Sequence, residues 1–531
     1  APRPVSLLRR VELSEVPEAE QGAALEAVAA ELHGSLALAE GPQVKAALID
    51  RGAGRTARLL LVIHHLVVDG VSWRTLLGDL EAAYRGLAEG GEVALPPKTA
   101  SFKAWAERLG EHARSSALEE EAPYWEAQAG QRVEALPVDG PGGANTRASA
   151  RRVSVELDEE ETRTLLQEVP AAWRARIDEV LLGALGLALS RWTGARRLRV
   201  ELEGHGREAP FEGLDVSRTV GWFTASYPVV VELPAGASPG DAVRTSRDSL
   251  RAVPHRGLGY GLLRYLREEG ALRVGQPAQV AFNYLGQFDG TASSLSLFGP
   301  APEPSGPAQG EGGARTHLLE VGGLVLGGRL KLEWTYSEHL HQRATIEALA
   351  QECVSVLRRL VSRSEPADML RYTPADFPLA GLEQAVLERV VPPGTALEEL
   401  YPLSPMQQGM LFHAEFSPRS GEYFEQVTCT FHAPLDVAAF RRAWQEAVAR
   451  HGILRTAFLR QGLEQPLQAV HASAELPWQE LDWSGVPGEE QARRLETLLA
   501  EDRARGFELS SRPLMRLALI RLEGRVYRLL W

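Results

Sequence analysis

The chain has 531 residues and a formal net charge of −13, a length that suggests two to four compact units. Because phosphate binding needs clustered positive charge, a chain this acidic is not expected to bind nucleic acid. No run of about 18 apolar residues predicts a membrane span, and residues 1–10 lack the apolar core of a signal peptide, so we expect a cytoplasmic protein without membrane contacts.

Helices and strands alternate in the first third of the chain. Apolar periodicity predicts a helix over residues 24–32, a buried strand over residues 58–65 and a second helix that ends near residue 90. One face of that second helix carries the large apolar side chains Leu76, Leu77, Leu80, Tyr84 and Leu87. Residues 130–150 are rich in glycine, proline and small residues, so we expect two lobes, over about 1–135 and 150–370.

The second lobe mixes strands with helices. Residues 198–203 alternate apolar and charged side chains, which predicts a strand whose polar face carries Arg199, Glu201 and Glu203. Residues 318–336 predict a hairpin with a Gly-Gly turn. The whole pattern predicts a mixed α/β (α+β) fold.

Beyond the second lobe, the pattern predicts a linker and a further unit. Residues 371–398 are predicted as the linker and residues 399–531 as the unit. The first residue is not methionine and the chain stops within an apolar pattern, so we expect both ends to be cut. Cys353 and Cys429 are far apart and have no metal-ligating neighbours, so neither a disulfide framework nor a metal site is expected. Cys353 lies in an apolar run of helical spacing and is interpreted as a core residue.

The segment with the clearest chemical signal is 64–70, whose sequence HHLVVDG comes at the end of the predicted strand. Adjacent residues on a strand point to opposite faces, so only one histidine of the pair can face a given cleft. Imidazole titrates near neutral pH and suits proton transfer, whereas Asp69 can hold the turn or pair with an arginine. The alternative is that both histidines are core residues with local hydrogen-bond partners, but the complete pattern favours a functional site.

This segment, continued by Val71, Ser72 and Trp73, resembles the HHxxxDG signature of the condensation-domain superfamily of nonribosomal peptide synthetases. The resemblance implies a two-lobed fold like that of chloramphenicol acetyltransferase. The superfamily includes peptide-bond-forming condensation domains, epimerization domains, cyclization domains and free-standing acyltransferases. The signature alone does not choose among them.

Further segments resemble the motifs of epimerization domains and occur in the order of that family. They are DEVLLGALG at 178–186, EGHGRE at 203–208, RTVGWFT at 218–224 with YPV at 227–229, PHRGLGYG at 254–261 and FNYLGQ at 282–287. The first motif of such domains, an aromatic-rich PIQ segment, does not occur. We therefore interpret residues 1–370 as an epimerization domain without its N-terminal start.

The unit over residues 399–531 resembles a condensation domain of the kind that follows an epimerization domain. YPLSPMQQGMLFH at 401–413 and RHGILRTAF at 450–458 fit its first motifs. Its own HHxxxDG segment does not occur, so we expect the N-terminal half-lobe of a second copy of the fold, without catalysis. Arg450 or Arg455 is expected to pair with the aspartate of that segment.

The resemblance implies L-to-D epimerization at the Cα of an aminoacyl or peptidyl thioester, held on the phosphopantetheine arm of a carrier domain. His65 and Glu203 are then the two proton-handling groups, one from each lobe, facing a shared cleft. A base must remove the α-proton, a donor must stabilise the enolate oxygen, and a proton must return to the opposite face. The sequence leaves open which group deprotonates and whether one group does both.

Other residues are expected to support this site. Asn283 and Tyr284 are candidate donors to the thioester or enolate oxygen, with a purely structural role as the alternative. For Glu203, the alternative is a solvated carboxylate at a strand end. The residues predicted to be structural are His64, Asp69, Gly70, Asp79 and Arg207, and those predicted to line the cleft are Trp73, His205, Trp222 and Phe223.

The resemblance calls for no cofactor bound by this chain, because phosphopantetheine belongs to the carrier domain. The expected partners are an upstream carrier domain and the downstream remainder of the condensation domain. Two alternatives stay open: a peptide-bond-forming condensation domain, which would not need the EGHGRE run, and a catalytically silent docking domain of the same fold. A free-standing acetyltransferase is disfavoured by the condensation-like second unit.

Overall fold

The computed structural model describes residues 7–207, 211–267, 272, 275–287, 297–299, 301–306, 309–310, 312–362, 371–392, 394–416 and 423–531. Two compact units, Ala1–Ser364 and Glu365–Trp531, divide the chain. Both units mix helices with sheets, as the sequence predicts. Within these described ranges, no helix is long and apolar enough to cross a membrane.

The first unit contains two sheets and their helices. Its strands are β1 (Leu8–Glu12), β2 (Val44–Asp50), β3 (Arg58–Ile63), β4 (Ala150–Glu156), β5 (Arg197–Gly204), β6 (Ala225–Glu232), β7 (Val280–Gln287), β8 (Leu319–Leu326) and β9 (Arg329–Ser337). Its helices are α1 (Glu18–Gly34), α2 (Gly70–Ala88), α3 (Phe102–His112), α4 (Ser116–Glu119), α5 (Ala122–Gly130), α6 (Glu159–Gln167), α7 (Val169–Trp173), α8 (Ile177–Thr193), α9 (Pro239–Arg251), α10 (Leu258–Tyr265) and α11 (Arg343–Val361).

The smaller sheet has the order β1-β2-β3, with β1 parallel to β2 and β2 antiparallel to β3. One face packs against α1, where Leu25 and Leu32 form a buried cluster with Ala47, Ile49 and Val62. Helix α1 begins six residues before the predicted start, since its first turn is acidic and polar and lies outside the apolar periodicity. Strand β3 leads directly into the His64–His65 segment, so this sheet sets the position of the predicted signature.

The larger sheet is mixed, with the order β4-β9-β8-β7-β5-β6. Strands β5 and β7 are parallel neighbours, which brings their carboxyl ends to the same edge. Helix α8 is buried almost throughout and packs on α9, where a Cβ at Gly183 would lie 2.9 Å from the Cα of Val243. The predicted Gly-Gly hairpin is confirmed as β8 and β9, and Cys353 is confirmed as a buried residue of α11.

Two side-chain environments in the first unit do not follow from the sequence pattern. Arg199 does not face solvent: its guanidinium is buried and donates to the carbonyl oxygens of Gln128 (2.9 Å) and Gln131 (2.7 Å). The apolar face predicted for α2 is at the surface at its C-terminal end, where Tyr84 and Leu87 are 56% and 63% exposed. Periodicity identifies an apolar face but contains no information about what covers it.

The second unit contains two further sheets. Its strands are β10 (Leu397–Pro402), β11 (Thr428–Phe431), β12 (Thr456–Leu459), β13 (Leu467–His471), β14 (Trp478–Asp482), β15 (Leu517–Arg521) and β16 (Tyr527–Leu530), in the orders β10-β13-β12 and β11-β16-β15-β14. Its helices are α12 (Gln384–Val390), α13 (Pro405–Phe416), α14 (Val437–Arg450) and α15 (Gly488–Arg505).

The segment predicted as a linker, 371–398, is folded into the second unit. Tyr372, Phe377 and Leu387 of this segment form one buried cluster with Leu400 and Leu467. The compact part of the unit therefore begins before residue 399, because apolar side chains spaced along the segment pack on β10 and β13.

The motif β1-α1-β2-β3 of the first unit has a counterpart in β14-α15-β15-β16 of the second, with the same order and pairing directions. Gln21 in α1 donates to the carbonyl oxygens of Leu13 (3.0 Å) and Val16 (3.2 Å). Gln491 in α15 makes the corresponding bonds to Trp483 (3.2 Å) and Val486 (2.8 Å). The sequence V-P-x-x-E-Q occurs at both places.

The two copies differ in what covers the sheet face opposite the helix. In the second unit, the cross-strand pair Leu519 and Leu529 is only 2% and 3% exposed and packs in one cluster with Val448 of α14. The equivalent pair in the first unit, Leu48 and Leu59, is 37% exposed at each residue.

This difference predicts unequal effects of one substitution made at the two equivalent positions. Leu519→Ala is expected to lower the free energy of unfolding of the second unit by about 2–5 kcal/mol, because it leaves a cavity beneath α14. Leu48→Ala, at the surface of the first unit, is expected to cost less than about 1 kcal/mol. Denaturant unfolding of the whole chain, with hydrogen exchange assigning each transition to a unit, measures both; equal losses would contradict the assignment of the covered face.

Candidate active site

The predicted signature lies directly after β3. The strand ends at Ile63, so His64 and His65 are not on it, and the predicted strand over 58–65 is two residues too long. His64 Nδ1 accepts the backbone N–H of Leu66 (3.2 Å) and begins a short 3-10 turn over His65–Val67. His65 is exposed and contacts the ring of Trp222, with 5.4 Å between ring centroids. The turn, rather than strand alternation, separates the directions of the two histidines.

Asp69 is the buried centre of this segment. Its Oδ1 accepts the N–H of Ser72 (2.7 Å) and caps α2. Its two oxygens also accept from Nη2 of Arg207 at 2.9 and 3.1 Å, and both side chains are nearly inaccessible. The prediction that Asp69 and Arg207 are structural residues thus has a physical basis: they form one buried ion pair.

Arg207 extends this contact into the loop that follows β5. Its Nη1 donates to the carbonyl oxygens of Val216 (2.9 Å) and Thr219 (2.7 Å), and its guanidinium lies 4.1 Å from the ring centroid of Phe223. Gly206 has φ +65°, and a Cβ there would lie 1.7 Å from the carbonyl oxygen of Phe223. The loop can therefore pass Phe223 this closely only with glycine at 206.

Glu203 lies near the carboxyl end of β5, and Asn283 lies on the neighbouring β7. The Nδ2 of Asn283 donates to Oε2 of Glu203 at 2.5 Å. His65, Asp69 and Gly70 line one side of a cavity of about 460 Å³, and its other walls include Glu203, His205, Asn283 and Tyr284. The two residues predicted to move protons therefore share one cavity.

The cavity changes the acid–base properties of its walls. Burial raises the pKa of the Glu203 carboxyl above its ordinary value, and the nearby Glu201 carboxylate adds to this, whereas His65, His317 and the Asn283 hydrogen bond oppose it. The Glu203 side chain is nevertheless exposed to the cavity, although protein groups lie around it. Burial also raises the pKa of Tyr284 to about 12, so its hydroxyl keeps its proton at neutral pH.

Three of the residues predicted to line the cleft lie elsewhere. Phe223 is 3% exposed and packs on Phe102 and Trp105, because Asp69 binds its backbone N–H (3.2 Å) and holds it inward. Trp73 on α2 is half-buried and is not a cavity wall. Trp222 does not line the cavity itself but lies against His65 at its edge.

The other predicted positions are as follows. His205 and Gly70 line the cavity. Asp79 lies outside the cavity and forms an ion pair with Arg218, which is consistent with the structural role predicted for Asp79. Glu208, the last residue of the EGHGRE run, is outside the described residues.

Sequence reasoning missed several polar groups of the cavity: Arg74 on α2, Asp178 at the start of α8, and His255 and Arg256 before α10. Both His255 and Arg256 have positive φ, 41° and 51°, which is unfavourable for residues other than glycine. His255 Nδ1 lies 2.6 Å from Oε1 of the buried Glu121. Asp178, His255 and Arg256 lie inside the segments 178–186 and 254–261, which resemble epimerization-domain motifs. This resemblance is the sequence signal that could have identified them as residues of the site.

Among the residues that the structure describes, no three His, Cys, Asp or Glu side chains come together in a way that could hold a metal ion.

Comparison with known proteins gives one family. The protein-family model described as "Condensation domain" matches residues 3–372 and 397–531. A linear gramicidin synthase protein of Brevibacillus parabrevis is 44% identical over 530 residues, which are 98% of this chain and 7% of that protein. Bacitracin synthase 3 of Bacillus licheniformis is 35% identical over 509 residues, 95% of this chain and 8% of that protein. The chain thus spans less than a tenth of the length of either relative.

Solved structures agree with this match. The epimerization domain from the third module of tyrocidine synthetase B has a TM-score of 0.62 and 32% identity, covering 67% of this chain and 79% of that one. The X-domain from teicoplanin biosynthesis has a TM-score of 0.50 and 21% identity over 67% of this chain and 79% of that one, which indicates a common fold alone. The predicted mixed α/β fold, like that of chloramphenicol acetyltransferase, is confirmed.

The buried ion pair predicts that neutralising Asp69 lowers the free energy of unfolding strongly, whereas neutralising the more exposed Asp79 lowers it only slightly. Asp69→Asn is expected to lower the free energy of unfolding by about 3 kcal/mol, because it leaves the Arg207 charge buried without an anion. The control Asp79→Asn breaks a pair whose side chains are 32% and 36% exposed and is expected to cost at most about 1 kcal/mol. Chemical unfolding of both variants tests this, and similar costs would contradict the structural role of Asp69.

Proposed function

Because the chain belongs to the condensation-domain family of nonribosomal peptide synthetases, we propose that its first unit is an epimerization domain. It converts the Cα of an aminoacyl or peptidyl thioester from L to D while a carrier domain holds the acyl group on its phosphopantetheine arm. The observation that carries this proposal is the common cavity of His65 and Glu203. The similarity to the solved epimerization domain supports it.

The two groups suit the removal of one proton from Cα and the delivery of another proton to its opposite face. In the first step the Cα–H bond breaks, the proton passes to one group, and the electron pair moves into the thioester carbonyl to form an enolate. In the second step the other group gives a proton to the opposite face of Cα, and the carbonyl re-forms. Glu203 suits either step, since its raised pKa brings its proton transfer closer to neutral pH. Solvent then restores the starting protonation of both groups.

Neighbouring residues support these steps. The hydrogen bond from Asn283 fixes the orientation of the Glu203 carboxyl. Tyr284 stays protonated because its pKa is raised to about 12, and we assign its hydroxyl to the enolate oxygen, where negative charge develops. Asp69 and Arg207 do not contact the reacting atoms in this proposal and instead hold the segments on which His65 and Glu203 lie.

The second unit completes the proposed order of domains. Its resemblance to the start of a condensation domain at 401–413 and 450–458 supports a downstream role, the acceptance of the D-configured donor. Arg455 is buried and bonds to the carbonyl oxygens of Val448 and His471, whereas Arg450 is exposed. We therefore assign Arg455, not Arg450, the structural role expected for this motif.

The second candidate function is peptide-bond formation by the first unit. The family model that matches the chain has a description that names condensation, and this match does not distinguish the two reactions. Such a reaction uses His65 but does not require Glu203. A silent docking domain is disfavoured, because binding of a partner does not require that His65, Asp69 and Glu203 line one cavity.

Stereochemistry and isotope uptake test the proposal. The chain is incubated in heavy water with a carrier domain loaded in turn with each proteinogenic L-aminoacyl group. We expect a D-isomer that carries deuterium at Cα, and a loss of at least about 100-fold in rate in His65→Asn and in Glu203→Gln, the size typical of a lost acid–base group.

The matched control is His64→Asn, which retains a side-chain acceptor for the N–H of Leu66 and is expected to keep most of the activity. Absence of exchange with every aminoacyl carrier and with carriers loaded with L-peptidyl groups, from a folded chain, would exclude epimerization. Amide formation that survives Glu203→Gln would instead favour the condensation candidate.

A further inference from the structure

A second carboxylate lies beside Glu203 on the same strand. Glu201 and Glu203 are two residues apart on β5, so both side chains lie on the face opposite the buried Val200 and Leu202. Two residues along a strand are separated by about 7 Å. At this distance an unpaired charge on Glu201 would act strongly on Glu203 in the cavity wall.

Glu201 is not an unpaired charge. Its Oε2 lies 3.1 Å from Nε2 of His317, and its Oε1 accepts the hydroxyl of Ser226 at 2.6 Å. The His317 bond is the largest influence that lowers the pKa of Glu201, against the opposing effect of burial. His317 is held in turn, because its backbone carbonyl accepts from Nδ2 of Asn145 at 2.9 Å. Glu201 therefore remains ionised with a fixed partner.

The same two residues act on Glu203 in opposite directions. The charge of Glu201 raises the pKa of Glu203, and that of His317 lowers it. Neither residue is hydrogen-bonded to Glu203, whose described side-chain partner is Asn283. The influence of the pair on Glu203 is therefore electrostatic, and its two parts act in opposite directions.

We propose that Glu201 and His317 are positioning residues of the active site, a charge-balanced pair that sets the electrostatic field at the Glu203 carboxyl. This inference rests on the proposed epimerization for its consequence in catalysis. The pair itself does not contact the reacting atoms. Its role is to limit the net charge beside the partly desolvated Glu203 carboxyl. This carboxyl can then gain and lose a proton although a second carboxylate lies next to it.

Other charged or titratable groups lie around Glu203 on the elements that form the cavity. His65 faces it from the 3-10 turn, and Arg264 on α10 acts on Glu201. The further groups in the walls are Asp69, Arg74, Asp178, His205, Tyr227, His255, Arg256 and Tyr284. Arg176 is also in the wall but is bound to Asp178 at 3.0 Å. None of these is changed in the test below, so their contributions cancel in a comparison of variants.

The test is a titration of Glu203 in the whole chain, with glutamate labelled by carbon-13 at Cδ. The Glu203 signal is identified as the one that disappears in Glu203→Gln. Glu201→Gln removes a nearby negative charge and is expected to lower the midpoint by about 0.5–1 pH unit, whereas His317→Gln leaves that charge unbalanced and is expected to raise it by a similar amount. The double variant removes both charges and is expected to titrate near the wild type.

The control is Glu232→Gln, which removes a carboxylate paired with Arg197 at the other end of β5 and is expected to leave the midpoint unchanged. Should His317→Gln not fold, Glu201→Gln compared with the double variant still measures the contribution of His317. Midpoints that do not move, or that move in the same direction in both single variants, overturn the proposal.

The titration does not depend on catalysis, so it separates this inference from the proposed function. If the wild type epimerizes, the limb of its pH–rate profile that reports Glu203 is expected to follow the same opposite shifts. If the titration shifts as expected but no loaded carrier is epimerized, the proposed function fails and the charge pair stands. If the wild type epimerizes and neither variant changes the titration or the profile, the charge pair fails alone.

Discussion

The buried ion pair between Asp69 and Arg207 joins the segment after β3 to the segment after β5, and the candidate active site depends on it. His65 precedes Asp69 by four residues and Glu203 precedes Arg207 by four, so this one contact brings both candidate catalytic groups to the same cavity. A buried pair is favourable only when its remaining hydrogen bonds are made. Here Ser72, Val216, Thr219 and Phe223 provide most of them, which favours a single arrangement of the two segments, although Nε of Arg207 has no hydrogen-bond partner among the described residues.

Around this fixed frame, the cavity walls adjust proton affinity by burial and by paired charges. Burial raises the pKa of Glu203 and Tyr284, which suits one to exchange a proton near neutral pH and the other to keep its proton. Burial raises the pKa of a carboxyl by up to about 3–5 units when the group is fully buried, and like charges add to the shift. The hydrogen bond from Asn283 and the charge of His317 oppose the rise in the pKa of Glu203, whereas the charge of Glu201 adds to it. In the proposed epimerization, the ion pair and these electrostatic effects together give a site in which one planar intermediate lies between the two candidate proton-handling groups.

Much of the fold and the two central residues could be predicted from the sequence, because local patterns carry them. Strand alternation predicted the face of β5 on which Glu203 lies, the HHxxxDG pattern indicated His65 as a candidate, and both residues line one cavity. Phe223 was misplaced because its backbone bond to Asp69, which turns it into the core, joins residues far apart in the chain. His317 and His255 were missed for the same reason: each reaches the site through tertiary packing. The repeat of β1-α1-β2-β3 was also missed, since V-P-x-x-E-Q is a short signal compared with the shared hydrogen bonds of Gln21 and Gln491.

Isotope exchange from each isomer separately tests most directly whether His65 and Glu203 act on opposite faces of Cα. His65→Asn and Glu203→Gln are each given the L-aminoacyl carrier and, separately, the D-aminoacyl carrier in heavy water. Each variant is expected to retain deuterium uptake without inversion from one isomer, and the isomer is expected to differ between the two variants. Loss of uptake from both isomers in both variants, or uptake from the same isomer in both, would contradict opposite-face action.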